Sequence, residues 1–293
     1  MVGYHKPVLL RETVEALNIK KGNWYLDLTV GDGGHSLEIL KLGGKVVGID
    51  VDPAALERAN ERLQKIGYSG QFRLIQGNFR DINSLIAQQA ELERQKFAGA
   101  IFDLGVSSLQ LEDPVRGFSF SKEGPLDMRM DPNLEVRAMD LINVLSRKEL
   151  YGLFKNLGEE KYSKRLADTL VSTREVKLTT ELAELVKRKV GGGRGKIHPA
   201  TKVFQALRIA VNDELGALQE GLEKIKTLIA RNGRIVVLSF HSLEDRIVKN
   251  AFSRWQSMGL GEVLTKKPIT PGAVEIKTNP RARSAKMRVF KII

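Results

Sequence analysis

Residues Tyr25-Leu26-Asp27-Leu28-Thr29-Val30 run apolar into Gly31-Asp32-Gly33-Gly34-His35-Ser36, and Val46-Val47-Gly48-Ile49 follow, ending on Asp50. A strand that enters a glycine turn, then a helix, then a second strand closed by a carboxylate is the opening of an open α/β sheet. Such sheets bind ligands beyond the carboxyl ends of their strands. Glycines there let the backbone come close, and an acid accepts hydrogen bonds from ribose hydroxyls. The run predicts a nucleotide site built on Gly31, Gly33 and Asp50. A tight turn followed by a capped helix is the plainer alternative.

The alternation continues. Phe72-Arg73-Leu74-Ile75 reads as a third strand, ending at Gln76-Gly77-Asn78-Phe79, and Gly99 to Leu104 as a fourth, with helical patterns between them, notably Pro53 to Ile66. This order predicts parallel βαβ units and a doubly wound sheet. From about Gln110 to Thr201 the rhythm stops, giving loop and then helices over Val136–Leu145, Arg147–Asn156, Lys161–Arg174 and Thr179–Lys189. It resumes with one long helix, Lys202 to Ile229, a strand from Gly233 to Phe240 and a last alternating strand from Ala285 to Ile293. The expected plan is a core made of residues 1–109 and 202–293, with a helical domain, 110–201, inserted as a substrate-recognising roof over the cleft.

Ser36 stands where the dinucleotide fingerprint G-x-G-x-x-G needs its third glycine, and the turn lacks the phosphate-cradling G-x-x-x-x-G-K-[ST]. That places S-adenosylmethionine, which has no pyrophosphate, ahead of a nicotinamide dinucleotide. The turn is close to the D-x-G-x-G-x-G loop of class I methyltransferases, with Thr29 at the first glycine.

Composition narrows the partners. No cysteine is present, which excludes disulfides, thiolate metal sites and a cysteine nucleophile. The four histidines are scattered, so no metal site is expected. No apolar stretch reaches bilayer length and the first residues lack a secretory core, so a cytoplasmic protein without a membrane partner is expected. The net charge is +12, and residues 263–293 hold eight Lys and Arg against the single acid Glu275. An anionic partner, nucleic acid above all, accounts for that excess better than a generic solvated face. Aromatics at 6% argue against an extended base-stacking platform. Gly191-Gly192-Gly193-Arg194-Gly195-Lys196 reads equally as a basic RNA contact or as a surface loop.

Five segments look too polar for packing alone. They are His5-Lys6-Pro7-Val8-Leu9-Leu10; Asp103-Leu104-Gly105-Val106-Ser107-Ser108-Leu109-Gln110-Leu111; Arg116 to Phe120 with Gly124 to Met130; Ser239 to Arg246; and Asn279-Pro280-Arg281-Ala282-Arg283-Ser284. Together with His198-Pro199-Ala200-Thr201 and Phe204 to Asn212, they closely resemble the bacterial-type methyltransferases that modify N4 of a cytidine in small-subunit ribosomal RNA. The resemblance runs from His5 nearly to the C-terminus. It implies a class I methyltransferase core with a helical insert, acting in the cytoplasm at the decoding region, on an assembled or partly assembled subunit. Carried over residue by residue, it implies cofactor contacts at Gly33, Gly34, His35, Asp50, Phe79, Asp103 and Gln110. A homodimer stays open.

Under that resemblance, Gly33 and Gly34 admit the methionine part, His35 opens the helix beneath it, Asp50 holds the ribose diol and Phe79 lies against adenine. Asp103 faces the transferred methyl, and Asp103 or nearby carbonyls accept from the target amine while Ser107 and Ser108 hold the base edge. Position assigns Arg281 and Arg283 to phosphates, and His241, Ser242 and Asn279 to the region of the base. Two departures stand out. The Asp/Asn-Pro-Pro-Tyr/Phe motif of many amino-group methyltransferases is replaced by Asp103-Leu104-Gly105-Val106-Ser107-Ser108, and the tail carries no cysteine. The rival readings are a methyltransferase with a DNA base or protein side chain as acceptor, and a ribosome-assembly factor with a relict cofactor site.

Overall fold

The computed structural model describes residues 4, 6–191 and 198–293. His5 and the greater part of the basic turn, Gly192 to Lys196, lie outside the described residues. In chain order the elements are α1 (Leu10–Leu17), β1 (Trp24–Asp27), α2 (Gly34–Lys41), β2 (Lys45–Asp50), α3 (Pro53–Lys65), β3 (Phe72–Gln76), α4 (Ile82–Ala87) and β4 (Phe97–Asp103). Then come α5 (Ser108–Glu112), α6 (Ala138–Val144), α7 (Arg147–Asn156), α8 (Ser163–Thr173), α9 (Thr179–Val190) and α10 (Thr201–Asn212). The chain ends with α11 (Glu214–Ile225), β5 (Ile229–Ser239), α12 (Ser242–Ser257), β6 (Gly261–Val263), α13 (Ala273–Thr278) and β7 (Lys286–Ile292). Two compact units result: residues 1–105 with 215–293, and residues 106–214.

The first unit is a seven-stranded sheet in the order β3-β2-β1-β4-β5-β7-β6. Strands β1 to β5 pair in parallel. Its strands are apolar on both sides because both faces are covered. Successive residues point to opposite faces: Leu26, Val47, Phe102, Val237 and Phe290 join one cluster with Leu222 of α11 and Phe252 and Trp255 of α12. Tyr25, Val46, Ile101, Val236 and Val289 join the other with Leu17 of α1, Leu37 of α2 and Leu63 of α3. The doubly wound reading of the sequence is the observed architecture.

The basic C-terminal stretch ends in the last strand expected over Ala285 to Ile293, observed as β7. β7 inserts antiparallel between β5 and β6, a placement that the linear pattern did not show. Two of its cations are used internally, since Arg288 Nε lies 2.6 Å and Lys286 Nζ 3.0 Å from the two oxygens of Asp245 on α12.

The second unit is helical around a core of Phe118, Leu126, Met128, Ile142, Leu150, Phe154, Leu166 and Leu182. The polar segments read as functional in the sequence have a structural use here. Arg116 Nη2 donates to the carbonyls of Arg129 and Met130 at 3.0 and 2.9 Å, and Arg129 pairs with both oxygens of Asp127. Asn212 accepts from Met130 N–H at 2.7 Å and donates to Met128 O at 2.8 Å. These bonds satisfy the backbone of a long connection that has no ladder of its own.

The single helix read over Lys202–Ile229 is two. Asp213 adopts φ 46°, ψ 44° and ends α10. The apolar period runs through the break because both helices bury a face, but in different cores. Val203, Phe204, Ala206 and Leu207 pack in the second unit, while Leu218, Leu222 and Ile225 pack in the first. Hence α10 groups with the helical unit, whose boundaries fall at 106 and 214 rather than 110 and 201.

Candidate active site

The turn after β1 is held by the strands beside it. Gly31 N–H donates to Asp50 Oδ2 at 2.9 Å, and Asp52 N–H donates to Asp50 Oδ1 at 3.0 Å. Asp52 in turn caps α3 through Ala54 N–H. Burial pushes the Asp50 carboxyl up to about 6, against these two hydrogen bonds. Each oxygen still has a lone pair for a further donor.

Thr29, the departure from the glycine motif, has a use. Its Oγ1 accepts the Asp103 N–H at 2.7 Å, tying the end of β4 to the turn after β1. Asp103 then faces His35 on α2, with Nε2 3.4 Å from Asp103 Oδ2. Beneath them Asp27, buried at the end of β1, accepts from Ser36 Oγ at 2.7 Å. Burial raises the Asp27 carboxyl above the usual range, against the nearby His35 and the Ser36 hydroxyl. For His35, burial opposes the charge, but the carboxylates of Asp103 and Asp27 outweigh it and raise the imidazole. His35 is therefore an interior member of a carboxylate–imidazole–carboxylate group. Sequence reasoning gave Asp27 and Thr29 no role. The signal available was the non-glycine Thr29 itself.

The glycines of the turn differ in what they do. Gly31 has φ 52° and Gly33 φ 78°, backbone that disfavours a side chain. A Cβ on Gly31 would meet nothing nearer than Thr29 O at 4.0 Å, so the turn is open on that side. Gly34 opens α2, and a Cβ there would lie 2.3 Å from Pro7 Cγ. Its small size serves contact with the N-terminal segment, where the sequence reading assigned it to a ligand.

Phe79, half-buried, meets Phe102 edge-on with centroids 5.4 Å apart and packs against Gly221, so part of its ring belongs to the core. Ser107, Ser108 and Gln110 belong to the second unit. Ser107 and Gln110 form the capping box of α5: Ser107 Oγ accepts from Gln110 N–H at 3.2 Å, and Gln110 Oε1 from Ser107 N–H at 3.0 Å.

The residues assigned to RNA divide. Arg281 and Arg283 are exposed on either side of the buried Ala282. Ser242 is exposed at the start of α12. His241 caps α12, its Nδ1 accepting from Glu244 N–H and its Nε2 lying 3.2 Å from Glu244 Oε1. Asn279 is buried, and its Nδ2 donates to Lys6 O at 3.4 Å. The His241 and Asn279 side chains thus also take part in local structure.

A ligand for this turn has to offer hydroxyl donors to Asp50 and a positively charged donor to Asp103. Asp103 Oδ1 is buried without a hydrogen-bond partner among the described residues. A ribose diol and an ammonium group meet both demands, and the open side of Gly31 admits them. S-adenosylmethionine fits these residues.

A parallel sheet extended by an inserted antiparallel strand, with this turn and the acid at the end of β2, defines a class I methyltransferase. The chain belongs to the MraW methylase family, whose profile matches residues 3–293. It is 46% identical to a ribosomal RNA small subunit methyltransferase H of Persephonella marina, over 99% of each chain. A protein of the same name from Carboxydothermus hydrogenoformans is 45% identical, over 97% of this chain and 96% of its own. Among solved structures, an rRNA methylase from Streptococcus thermophilus aligns over 99% of each chain at 12% identity, with a TM-score of 0.45.

Proposed function

We propose that this chain uses S-adenosylmethionine to methylate N4 of a cytidine in the decoding region of small-subunit ribosomal RNA. Full-length similarity to relatives named as small-subunit ribosomal RNA methyltransferases supports the acceptor. The observation that carries the cofactor assignment is the Gly31–Asp50 bond, which leaves a carboxylate with spare lone pairs at the mouth of an open glycine turn.

The cofactor supplies, when bound, a methyl group on a sulfonium, a strong electrophile. The chain's own residues supply position. Asp50 accepts from the ribose hydroxyls, and Phe79 offers the ring face not packed on Phe102 to adenine. Gly33 brings bare backbone to the methionine part, and Gly34 carries it into α2 against Pro7. Asp103, held by Thr29 and His35, presents an acceptor at the methyl end. The exocyclic amine of cytosine is conjugated with its ring and is a poor nucleophile. In-line placement is therefore the main source of acceleration, up to about 7–11 kcal/mol in well-oriented reactions. A carboxylate accepting from that amine concentrates electron density on nitrogen as it becomes tetrahedral. We assign this role to Asp103.

Arg281 and Arg283, exposed beside each other, suit phosphate contacts. A cytidine in folded RNA has to leave its stack, which costs a few kcal/mol and is offset by backbone contacts. An assembled or partly assembled subunit in the cytoplasm is the substrate this reading favours. No described helix is long and apolar enough to cross a membrane.

The test is methyl transfer from labelled S-adenosylmethionine to small subunits lacking the modification, followed by nucleoside mass spectrometry. Labelled N4-methylcytidine is the expected product. A labelled protein, or DNA as the better acceptor, would overturn the assignment.

A further inference from the structure

The N-terminal residues reach the cofactor turn, and the C-terminal segment holds them there. Pro7 occupies the space a side chain on Gly34 would need. Val8 and Leu9 are buried in the cluster that also takes Leu37 of α2 and Ala282, Ala285 and Met287 of the C-terminal stretch. On one side, Tyr4 stacks under the guanidinium groups of Arg62 and Arg58, at 4.5 and 5.2 Å from its ring centroid. Arg62 itself reaches Asp32 of the turn at 3.1 Å. On the other side, Asn279 Nδ2 donates to Lys6 O, and Glu275 Oε1 accepts the Leu9 N–H at 2.8 Å.

That last bond is unusual on two counts. Leu9 has φ 49° and ψ 36°, a conformation leucine avoids unless its surroundings impose it. Glu275 is the single acid among residues 263–293, in a stretch rich in cations, yet its carboxylate is spent on a distant backbone N–H. A carboxylate accepting a backbone N–H makes a stronger bond than a neutral acceptor does. It is placed where it fixes the strained corner from which α1 begins.

We propose that Glu275 is a positioning residue for the cofactor turn: through Leu9 it sets the N-terminal strap, and through Pro7 the strap sets the start of α2 at Gly34. The inference rests on the cofactor reading given above, since it concerns how firmly the chain holds that ligand. A binding turn has to be held to a fraction of an ångström, and its own three glycines give it no side-chain packing to do so. The strap provides the missing wall.

The test is calorimetric binding of S-adenosylhomocysteine to the full-length protein, with unfolding midpoints measured on the same samples. Variants are Glu275→Ala, Glu275→Gln, Pro7→Gly and the double variant Pro7→Gly with Glu275→Ala. Glu275→Ala is expected to weaken binding about tenfold, within the range for residues coupled through contact. Glu275→Gln keeps a carbonyl oxygen for the Leu9 N–H and is expected to retain most of the affinity. Pro7→Gly is expected to weaken binding as Glu275→Ala does, and the double variant to be no weaker than either single one. Unchanged affinity in folded Glu275→Ala, equal losses in the Ala and Gln variants, or fully additive losses would overturn the proposal. A lowered midpoint with unchanged affinity marks a merely structural role and would overturn it too. If Glu275→Ala does not fold, Pro7→Gly and Glu275→Gln decide: Pro7→Gly binding as tightly as wild type overturns it. Failure of the wild type to bind would instead overturn the cofactor reading.

Discussion

Gly31 donates its backbone N–H to the Asp50 carboxylate at 2.9 Å, so the acid at the end of the second strand closes the turn at the end of the first. The bond favours the ionised form of Asp50, the acceptor for a ligand, while burial acts against that form and outweighs it.

The conflict gives a pH dependence with a definite sign. Asp50 is raised from the ordinary 3.8 to about 6, so the fold favours its protonated form. The stability this contributes is complete below the unfolded value and lost as pH rises through about 6. Ligand hydroxyls donate to the carboxylate and favour the opposite form. Affinity for S-adenosylhomocysteine should therefore be flat above neutrality and fall as pH drops through about 6, by about tenfold per unit well below it. Asp50→Asn should bind weakly at all pH values and flatten the profile. Calorimetric titration between pH 5 and pH 8 checks both.

His35 and Asp103 make a second prediction, for stability. The imidazole is raised by Asp103 and Asp27, so its contribution is present below the unfolded value of 6.5 and lost as pH rises through the folded one. Asp103→Asn should cost about 2 kcal/mol in acid solution, where the imidazolium loses a charged partner, and less in alkali. Urea unfolding at pH 6 and pH 9 would show the difference. Equal losses at both would mean that His35 is neutral throughout.

Asp103→Asn also tests the chemistry. If the carboxylate accepts from the target amine, turnover at saturating cofactor should fall about a hundredfold, the scale for losing one preorganised group at a developing charge. Full turnover would remove Asp103 from that role and leave the backbone carbonyls.

Gly34→Ala should destabilise the fold by about 1–3 kcal/mol, because the new methyl meets Pro7 Cγ at 2.3 Å. Adding Pro7→Gly should restore much of the loss. Denaturation of both single variants and the double one closes the cycle, and absence of rescue would mean that the clash is relieved elsewhere.

Arg281→Ala with Arg283→Ala should weaken RNA binding and lower the salt slope by about two, one per phosphate contact, while leaving S-adenosylhomocysteine binding unchanged. Binding isotherms at several salt concentrations measure it.

How far the sequence could be read depended on whether a feature was local. Strands β1 to β5 were legible because each is an apolar run between turn signals, and burial on both faces leaves no other use for it. The place of β7 was not, because antiparallel insertion between β5 and β6 is decided by contacts far apart in the chain. The break at Asp213 was hidden because the apolar period of α10 continues into α11 although the two bury different cores. In the site, Gly31 and Asp50 were legible from their spacing across a strand end. Asp27 was quoted but given no role, since nothing in a linear pattern shows that a strand-end acid meets a histidine on the next helix. Asn279 was placed near the base from its position alone, and only the fold reveals its bond to Lys6 O.

The discontinuity of the first unit has a consequence for biosynthesis. Strand β4 ends at Asp103, and its parallel neighbour β5 begins at Ile229. At translation speeds of about 5–20 residues per second, the intervening stretch takes on the order of ten seconds to emerge. For that interval β1 to β4 exist as half a sheet with an unpaired inner edge at β4, while the helical unit has all its residues to hand and can fold. An unpaired edge is a template for misassociation. Chaperones that shield strand edges during elongation should therefore raise the soluble yield of this chain more than that of a protein whose strands arrive in one run.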